Sequence, residues 1–259
     1  MKFEKTQVFN FEGAFRGMRN PKNSWDRSDS YFGIACNEEN VIAKIPDGNK
    51  FEILSRDEEF FTYASLGTND LKLAQTLIKG GSEHRKFLRQ IFVSVDITAS
   101  LFWFKEFDTY KVGTVANSTS TMHKLTSKPI TLDCFEIDDF TNIVYPEDTQ
   151  REELKYPVDP DVIQMVFIPY LEYLRQKYLE TEDKRYWKEL VRWLPESWLQ
   201  TRTITMNYEN LRSMYFQRKY HKLNEWSGKD DPDNDNFIKW VESLPYAKEL
   251  IMYEGDTNE

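Results

Sequence analysis

The chain has 259 residues, 40% hydrophobic and 15% aromatic, with a formal net charge of -9. That length and apolar share support an ordinary hydrophobic core and exclude a disordered chain, while the acidic balance, with no block of Lys or Arg, argues against a polyanion-binding surface and leaves room for a local basic pocket that takes one nucleotide. Cys36 and Cys134 have neither CxxC spacing nor a His-rich neighbourhood, so no zinc site or disulfide framework is indicated.

The opening MKFEKTQVFNFEGAFRG lacks an apolar signal core, and no run reaches the roughly 20 apolar residues of a membrane span. The expectation is a cytoplasmic protein of one domain over residues 1–259, with an aromatic load that suggests subunit contacts besides the core. Residues 1–66 read as a strand-rich opening. Thr6–Phe11 suits a strand that Met18-Arg19-Asn20-Pro21 breaks, and Ile45-Pro46-Asp47-Gly48-Asn49 signals a turn before a strand over Lys50–Leu54. Arg16, Arg19 and Arg27 read as ordinary surface cations, because no spacing rule holds them together. Thr68-Asn69-Asp70 reads as the cap of a helix over Leu71–Lys79 that Gly80-Gly81 ends, and His84 with Arg85 reads as a solvated turn.

From Phe87 to Lys124 the pattern changes period twice. Ile91, Val93, Val95 and Ile97 alternate with Ser94, Asp96 and Thr98, as in a half-buried strand. Ser100 is placed to cap a helix whose Trp103, Phe107 and Tyr110 fall on one face, and that face is expected to be buried. A polar loop from Gly113 to Thr121 follows. Its hydroxyls and amides suit a polar ligand, and equally suit a loop covering a core helix. Beyond a Pro- and acid-rich connection through Asp148 and Pro160, helices are predicted over Asp161–Tyr178, with a kink at Pro169, over Asp183–Trp193 and over Asn207–Trp226. Within the last, Leu211, Met214 and Tyr215 point inward and Arg218 lies on the adjoining face. The acidic loop at 227–236 has calcium-like spacing but carries Asn236 where Gly is required, so it reads as solvated and no metal is expected. A short helix with Phe237, Ile238, Trp240 and Val241 precedes Pro245 and a polar tail.

The strand, helix and loop of this central stretch resemble the flavin-dependent thymidylate synthases (ThyX), whose signature is R-H-R-x-x-S-x-N-x-x-S-x-R. Laid on this chain it covers Thr109–Thr121, with Lys111, Thr114 and Thr119 as conservative matches. A second family-like segment has Leu194-Pro195, Thr201-Arg202, Asn207, Leu211, Arg218, His221 and Trp226 in the family's order, and the family places it on a helix. The resemblance implies an α/β (α+β) fold, a small sheet flanked by long helices, and a homotetramer with sites between subunits. It further implies a nucleotide site of Asn117, Ser118, Thr119, Ser120, Thr121, Arg202 and Arg218, and a cofactor site of Lys111, Thr114 and Gln90, where Gln90 stands in place of the family's histidine.

The family's reaction is dUMP methylation with FAD and methylenetetrahydrofolate, in which the flavin carries the redox step and the protein holds the nucleotide. Here R-H-R-x7-S has become T-Y-K-x7-T. Each lost charge-assisted bond is worth roughly 1.5–3 kcal/mol, so loss of FAD is expected and catalysis becomes doubtful. Two readings stay open at this level: a ThyX-type enzyme with a rewritten site, and a non-catalytic descendant that binds a small anionic nucleotide or a protein. No other catalytic motif is present, and His123 with Cys134 lacks a third member.

Overall fold

In a computed structural model of the protein, the structure describes residues 1–42, 44–46, 49–122, 124–137 and 163–255. Asp47 and Gly48 of the expected turn, His123, the acid-rich connection from Asp148 to Pro160, the first two residues of the helix expected from Asp161 and the last four of the polar tail lie outside the described residues. The chain divides into two compact units, one of Met1–Ile97, Thr109–Asn117 and Thr203–Glu259, the other of Thr98–Asp108 and Ser118–Arg202.

The first unit opens with β1 (Lys2–Phe9) and α1 (Phe11–Arg19). Phe11, Ala14, Phe15 and Met18 fall at i, i+3, i+4 and i+7 and are all buried, so the segment read as the end of a strand obeys a helical period instead. Next come β2 (Tyr31–Ala35), α2 (Glu38–Ile42), β3 (Glu52–Arg56) and β4 (Phe61–Ser65). Among the described residues, four strands and two α-helices fall within residues 1–66. β4 lies between β2 and β3, antiparallel to both, and Ile53 and Ser55 mark a register shift in β3. Ala35, Val41, Ile45, Phe61 and Tyr63 form the core beside this sheet.

α3 (Thr68–Lys79) is capped from a distance rather than by its own first residues. The Asp29 carboxylate accepts the backbone N–H groups of Asn69 (2.9 Å) and Asp70 (3.0 Å), satisfying donors that a helix start leaves open. Gly67 has to be glycine for this. A Cβ there would stand 2.1 Å from Asp29 Cγ and 2.2 Å from its carbonyl oxygen. The surface reading of Arg19 is also corrected. Its guanidinium is buried and donates to Asp70 Oδ1 at 2.6 Å, to the Ser24 carbonyl and to the Arg27 carbonyl.

β5 (Phe92–Ser100) keeps the expected alternation, with Val93, Val95, Ile97 and Ala99 buried. A second sheet has the order β1-β5-β7-β6, with β6 at Val115–Ser118 and β7 at Leu199–Asn207. The mixed α/β class is thus as expected, with the strands in two sheets rather than one. Part of the polar loop is an exposed edge strand, and Thr201-Arg202 sit on a strand, not a helix, because Leu199–Asn207 alternates at period two with Gln200, Ile204 and Met206 buried.

In the second unit α4 (Leu101–Phe107) stops before Tyr110, and Trp103, Phe104 and Phe107 are buried as one aromatic cluster. Ser100 is the N-cap by position, but its side chain makes no capping bond. The first helical N–H groups instead donate to the carbonyls of Trp198 (3.0 Å) and Glu196 (3.1 Å). A π-helical turn at Ile163–Phe167 passes directly into α5 (Ile168–Thr181), so Pro169 follows a wider turn in continuous helical backbone, and both features are recognised causes of helix bending. Asp183 caps α6 (Lys184–Arg192) by accepting the Arg185 N–H. Leu125, Ile130, Phe135, Ile168, Leu171, Leu174 and Leu190 make this unit's second core.

Glu172 ties residues 126–130 to α5. Its carboxylate takes two bonds from Arg175 (2.8 and 2.7 Å) and the Ile130 N–H (2.9 Å), while Arg175 reaches the Thr126 carbonyl. The Arg175 bonds, with help from Ile130, lower its pKa from 4.5 to about 2 against the opposing effect of burial. A carboxyl depressed in the folded state binds fewer protons than in the unfolded chain, so its stabilisation is present above about pH 4.5 and is lost as pH falls towards 2. In urea unfolding at pH 7 and pH 3, wild type is expected to lose on the order of 1–2 kcal/mol more than Glu172→Gln between the two pH values. Equal losses would remove Glu172 from the acid sensitivity.

Candidate functional site

The site grows from the start of α7 (Tyr208–Arg218). Asn207 caps it: its Oδ1 accepts the Asn210 N–H at 2.9 Å, and Asn210 Oδ1 accepts the Asn207 N–H at 3.3 Å. This reciprocal cap fixes both amides. Asn210 Nδ2 then donates to the Val112 carbonyl at 2.7 Å, fastening the 110–114 turn to the helix start. Gly113 makes the approach possible. Its φ is +77°, and a Cβ would stand 2.9 Å from Asn210 Oδ1 and 3.1 Å from Asn207 Nδ2.

Between that turn, the segment around Arg85 and Arg89, and the exposed side of α7 lies a cleft of about 790 Å³, lined by Arg85, Arg89, Asn207, Glu209, Arg212 and Phe216 among others. Three guanidiniums face one carboxylate. Arg85 Nε donates to both oxygens of Glu209, at 3.0 and 2.8 Å. Arg89 donates to the Ser82 carbonyl, and Arg212 donates to the Ile251 carbonyl while its guanidinium lies 4.8 Å from the Phe216 ring centre. Neither Arg89 nor Arg212 has a carboxylate at ion-pair distance among the described residues. Burial, then the nearby positive charge of Arg85, push the Arg212 pKa below its ordinary value. Asn207 is 8% exposed, and its side-chain nitrogen has no hydrogen-bond partner among the described residues although it borders the cleft.

Most of this set escapes a reading of the sequence. Arg85 reads as part of a solvated turn, and Arg89 and Arg212 have no motif, since 123 residues of chain separate them and only the fold joins them. The one local signal is Asn207-x-x-Asn210, a capping pattern ahead of an apolar helix.

The predicted residues fall into three groups. Lys111 is exposed, and Thr114 donates its hydroxyl to the Tyr110 carbonyl, on either side of the Val112-Gly113 rim. Arg218 is held by aromatic rings: Nε donates to the Tyr110 hydroxyl at 2.8 Å, and the guanidinium lies 4.8 Å from the Trp226 ring centre. Tyr110 in turn donates its hydroxyl to Gln217 Oε1 at 3.2 Å. In the other unit Gln200 joins Thr119 and Arg202, donating to the Thr119 carbonyl (2.8 Å) and accepting from Arg202 Nε (2.9 Å), while Arg202 also pairs with Asp108 at 2.7 Å and stacks 3.9 Å from the Phe104 ring centre. Asn117 and Ser118 are exposed on β6, and Ser120 and Thr121 follow it half-buried. The expected nucleotide residues are therefore divided, Asn117 and Arg218 in the first unit and Ser118–Thr121 with Arg202 in the second. Gln90 is exposed and is not part of the cleft lining; its carbonyl accepts from Asn10.

No protein-family model matches the chain, and no curated protein matches it. Solved structures do. A flavin-dependent thymidylate synthase ThyX from Helicobacter pylori, complexed with FAD and dUMP, aligns at 17% identity and a TM-score of 0.54 over 98% of both chains. Another structure of ThyX from that organism with FAD and dUMP aligns at 14% identity and a TM-score of 0.56, over 98% of this chain and 100% of the other. The chain has a ThyX-like fold. The fold implied by the central stretch and by the segment after Leu194 thus extends over nearly the whole chain, at an identity that shows the fold alone.

Proposed function

We propose that this chain is a nucleotide-binding protein on a ThyX-like fold, that it takes a pyrimidine nucleoside monophosphate of the dUMP type in the cleft beside α7, and that it no longer performs thymidylate synthesis. The observation that carries the reading is the surplus of guanidinium groups in that cleft, in a protein of net charge -9. A guanidinium offers a planar fork of donors to phosphate. Arg89 and Arg212 are available for that role, and the unused amide nitrogen of Asn207 supplies a donor for a carbonyl or sugar oxygen.

Loss of FAD and of the family's reaction follows from the turn. Where the ThyX signature has R-H-R, this chain supplies one cation, Lys111, and the Tyr110 hydroxyl is spent on Arg218 and Gln217. These residues do not fit a flavin site of the family's kind. Arg218 acts in this reading as a positioning residue for Tyr110, and Thr119 and Arg202 are not used. Self-association as a homotetramer and a cytoplasmic location complete the proposal, on the strength of the fold alone.

Thermal shift with dUMP, UMP, TMP and inorganic phosphate tests it, because a ligand of the folded state stabilises in proportion to the logarithm of its excess over Kd. We expect dUMP to raise the melting temperature of wild type, Arg89→Ala and Arg212→Ala each to weaken binding about ten- to a hundredfold, and the purified protein to be colourless. If no nucleotide shifts wild type, the cleft assignment is wrong. A stoichiometric flavin absorption band would instead restore the enzyme reading.

A further inference from the structure

Within that cleft, and resting on the nucleotide reading, we infer that Glu209 selects for ligand charge: paired with Arg85, it limits the site to a single phosphate and excludes nucleoside di- and triphosphates. The argument begins from the pairing. Glu209 sits in the first turn of α7, where a carboxylate is favoured by the helix N-terminus, and both of its oxygens accept from Arg85 Nε. With side-chain exposures of 24% for Arg85 and 16% for Glu209, the two are largely shielded from water, so the bond is not a loose surface contact. An internal carboxylate thus takes up one of the three guanidiniums that line the cleft.

What remains for a ligand is Arg89 and Arg212. Two cations match one phosphate monoester, which carries about -1.5 to -2 at neutral pH. Every further phosphate brings more negative charge into a space whose third guanidinium is already neutralised and whose carboxylate repels it. Discrimination of this kind works by an unfavourable contact with the wrong ligand, not by an added contact with the right one.

Affinities of deoxyuridine mono-, di- and triphosphate for wild type, Glu209→Gln and Arg85→Gln, measured by calorimetry at fixed salt, test the inference. Wild type is expected to bind the monophosphate at least about tenfold more tightly than the triphosphate. Glu209→Gln keeps the shape of the side chain and removes its charge; the preference should shrink to within about threefold, mainly through tighter triphosphate binding. Arg85→Gln leaves the Glu209 charge without its partner, and the preference should widen. This second variant carries the test should the first not fold. Equal affinity of wild type for the mono- and triphosphate, or an unchanged ratio in either variant, would overturn the inference while the nucleotide reading stands. Failure of all three nucleotides to bind wild type would overturn both.

Discussion

Asp70→Ala is expected to cost about 3–5 kcal/mol of folding stability, the range for removing one partner of a buried ion pair. Asp70 is 0% exposed and Arg19 is 3% exposed. The carboxylate accepts from Arg19 Nε at 2.6 Å, from the hydroxyls of Ser28 (2.7 Å) and Ser30 (2.6 Å), and from the Asp29 N–H at 3.3 Å. Alanine would leave a buried guanidinium without its counter-charge and two hydroxyls without their acceptor. The Asp29 carboxylate that caps α3 is part of the same turn, so its geometry should loosen as well. Exchanging both partners together, as in Arg19→Met with Asp70→Leu, should cost clearly less, because desolvation of the pair opposes its attraction. Urea denaturation of wild type, the single variant and the double variant checks this. A single-variant loss below about 1 kcal/mol would show that water reaches the site.

That turn also shows where the sequence stops being legible. Arg19 looks like any arginine near a helix end, since nothing local marks its partner fifty-one residues away as buried. Periodicity was informative wherever one residue type repeats on one face. Val93, Val95 and Ile97 give β5, Leu211, Met214 and Tyr215 give the inner side of α7, and Phe237, Ile238, Trp240 and Val241 give the buried helix near the C-terminus. It misled at Phe11–Met18, where a helix starts one residue after a strand and the apolar positions of the two merge. It also missed Leu199–Asn207, because polar Thr201, Arg202 and Thr203 mask an alternation that burial makes plain.

The candidate site was legible only in outline. The Gly113 turn and the Asn207 cap stand at motif positions, and the structure fastens one to the other through Asn210. The cations of the cleft do not. Arg85, Arg89 and Arg212 come from two segments with no shared spacing, and Arg218, which the resemblance puts forward, is occupied by Tyr110 and Trp226. A motif fixes chemistry along the chain, whereas an anion site depends on which guanidiniums are left without carboxylates after folding.

Trp103→Ala should be comparably severe in the second unit, at about 3–5 kcal/mol, as for other large aromatic truncations in cores. Trp103 is 0% exposed, stacked on Phe107 with ring centres 5.3 Å apart and edge-on to Phe104 at 5.2 Å. Truncation opens a void that a seven-residue helix has little freedom to close, since its first N–H groups are bound to the carbonyls of Trp198 and Glu196. The consequences should reach Arg202, whose guanidinium lies 3.9 Å from the Phe104 ring centre and whose bonds to Asp108 and Gln200 should loosen if that ring shifts. Trp103→Phe restores most of the apolar volume and should recover more than half of the loss. Chemical denaturation followed by circular dichroism gives the free energies, and amide exchange at Thr119, which donates to the Thr201 carbonyl beside Arg202, reports the loosening. If Trp103→Ala unfolds within about 1 kcal/mol of wild type, or if Trp103→Phe is as damaged as alanine, packing of this aromatic cluster is not what stabilises the unit.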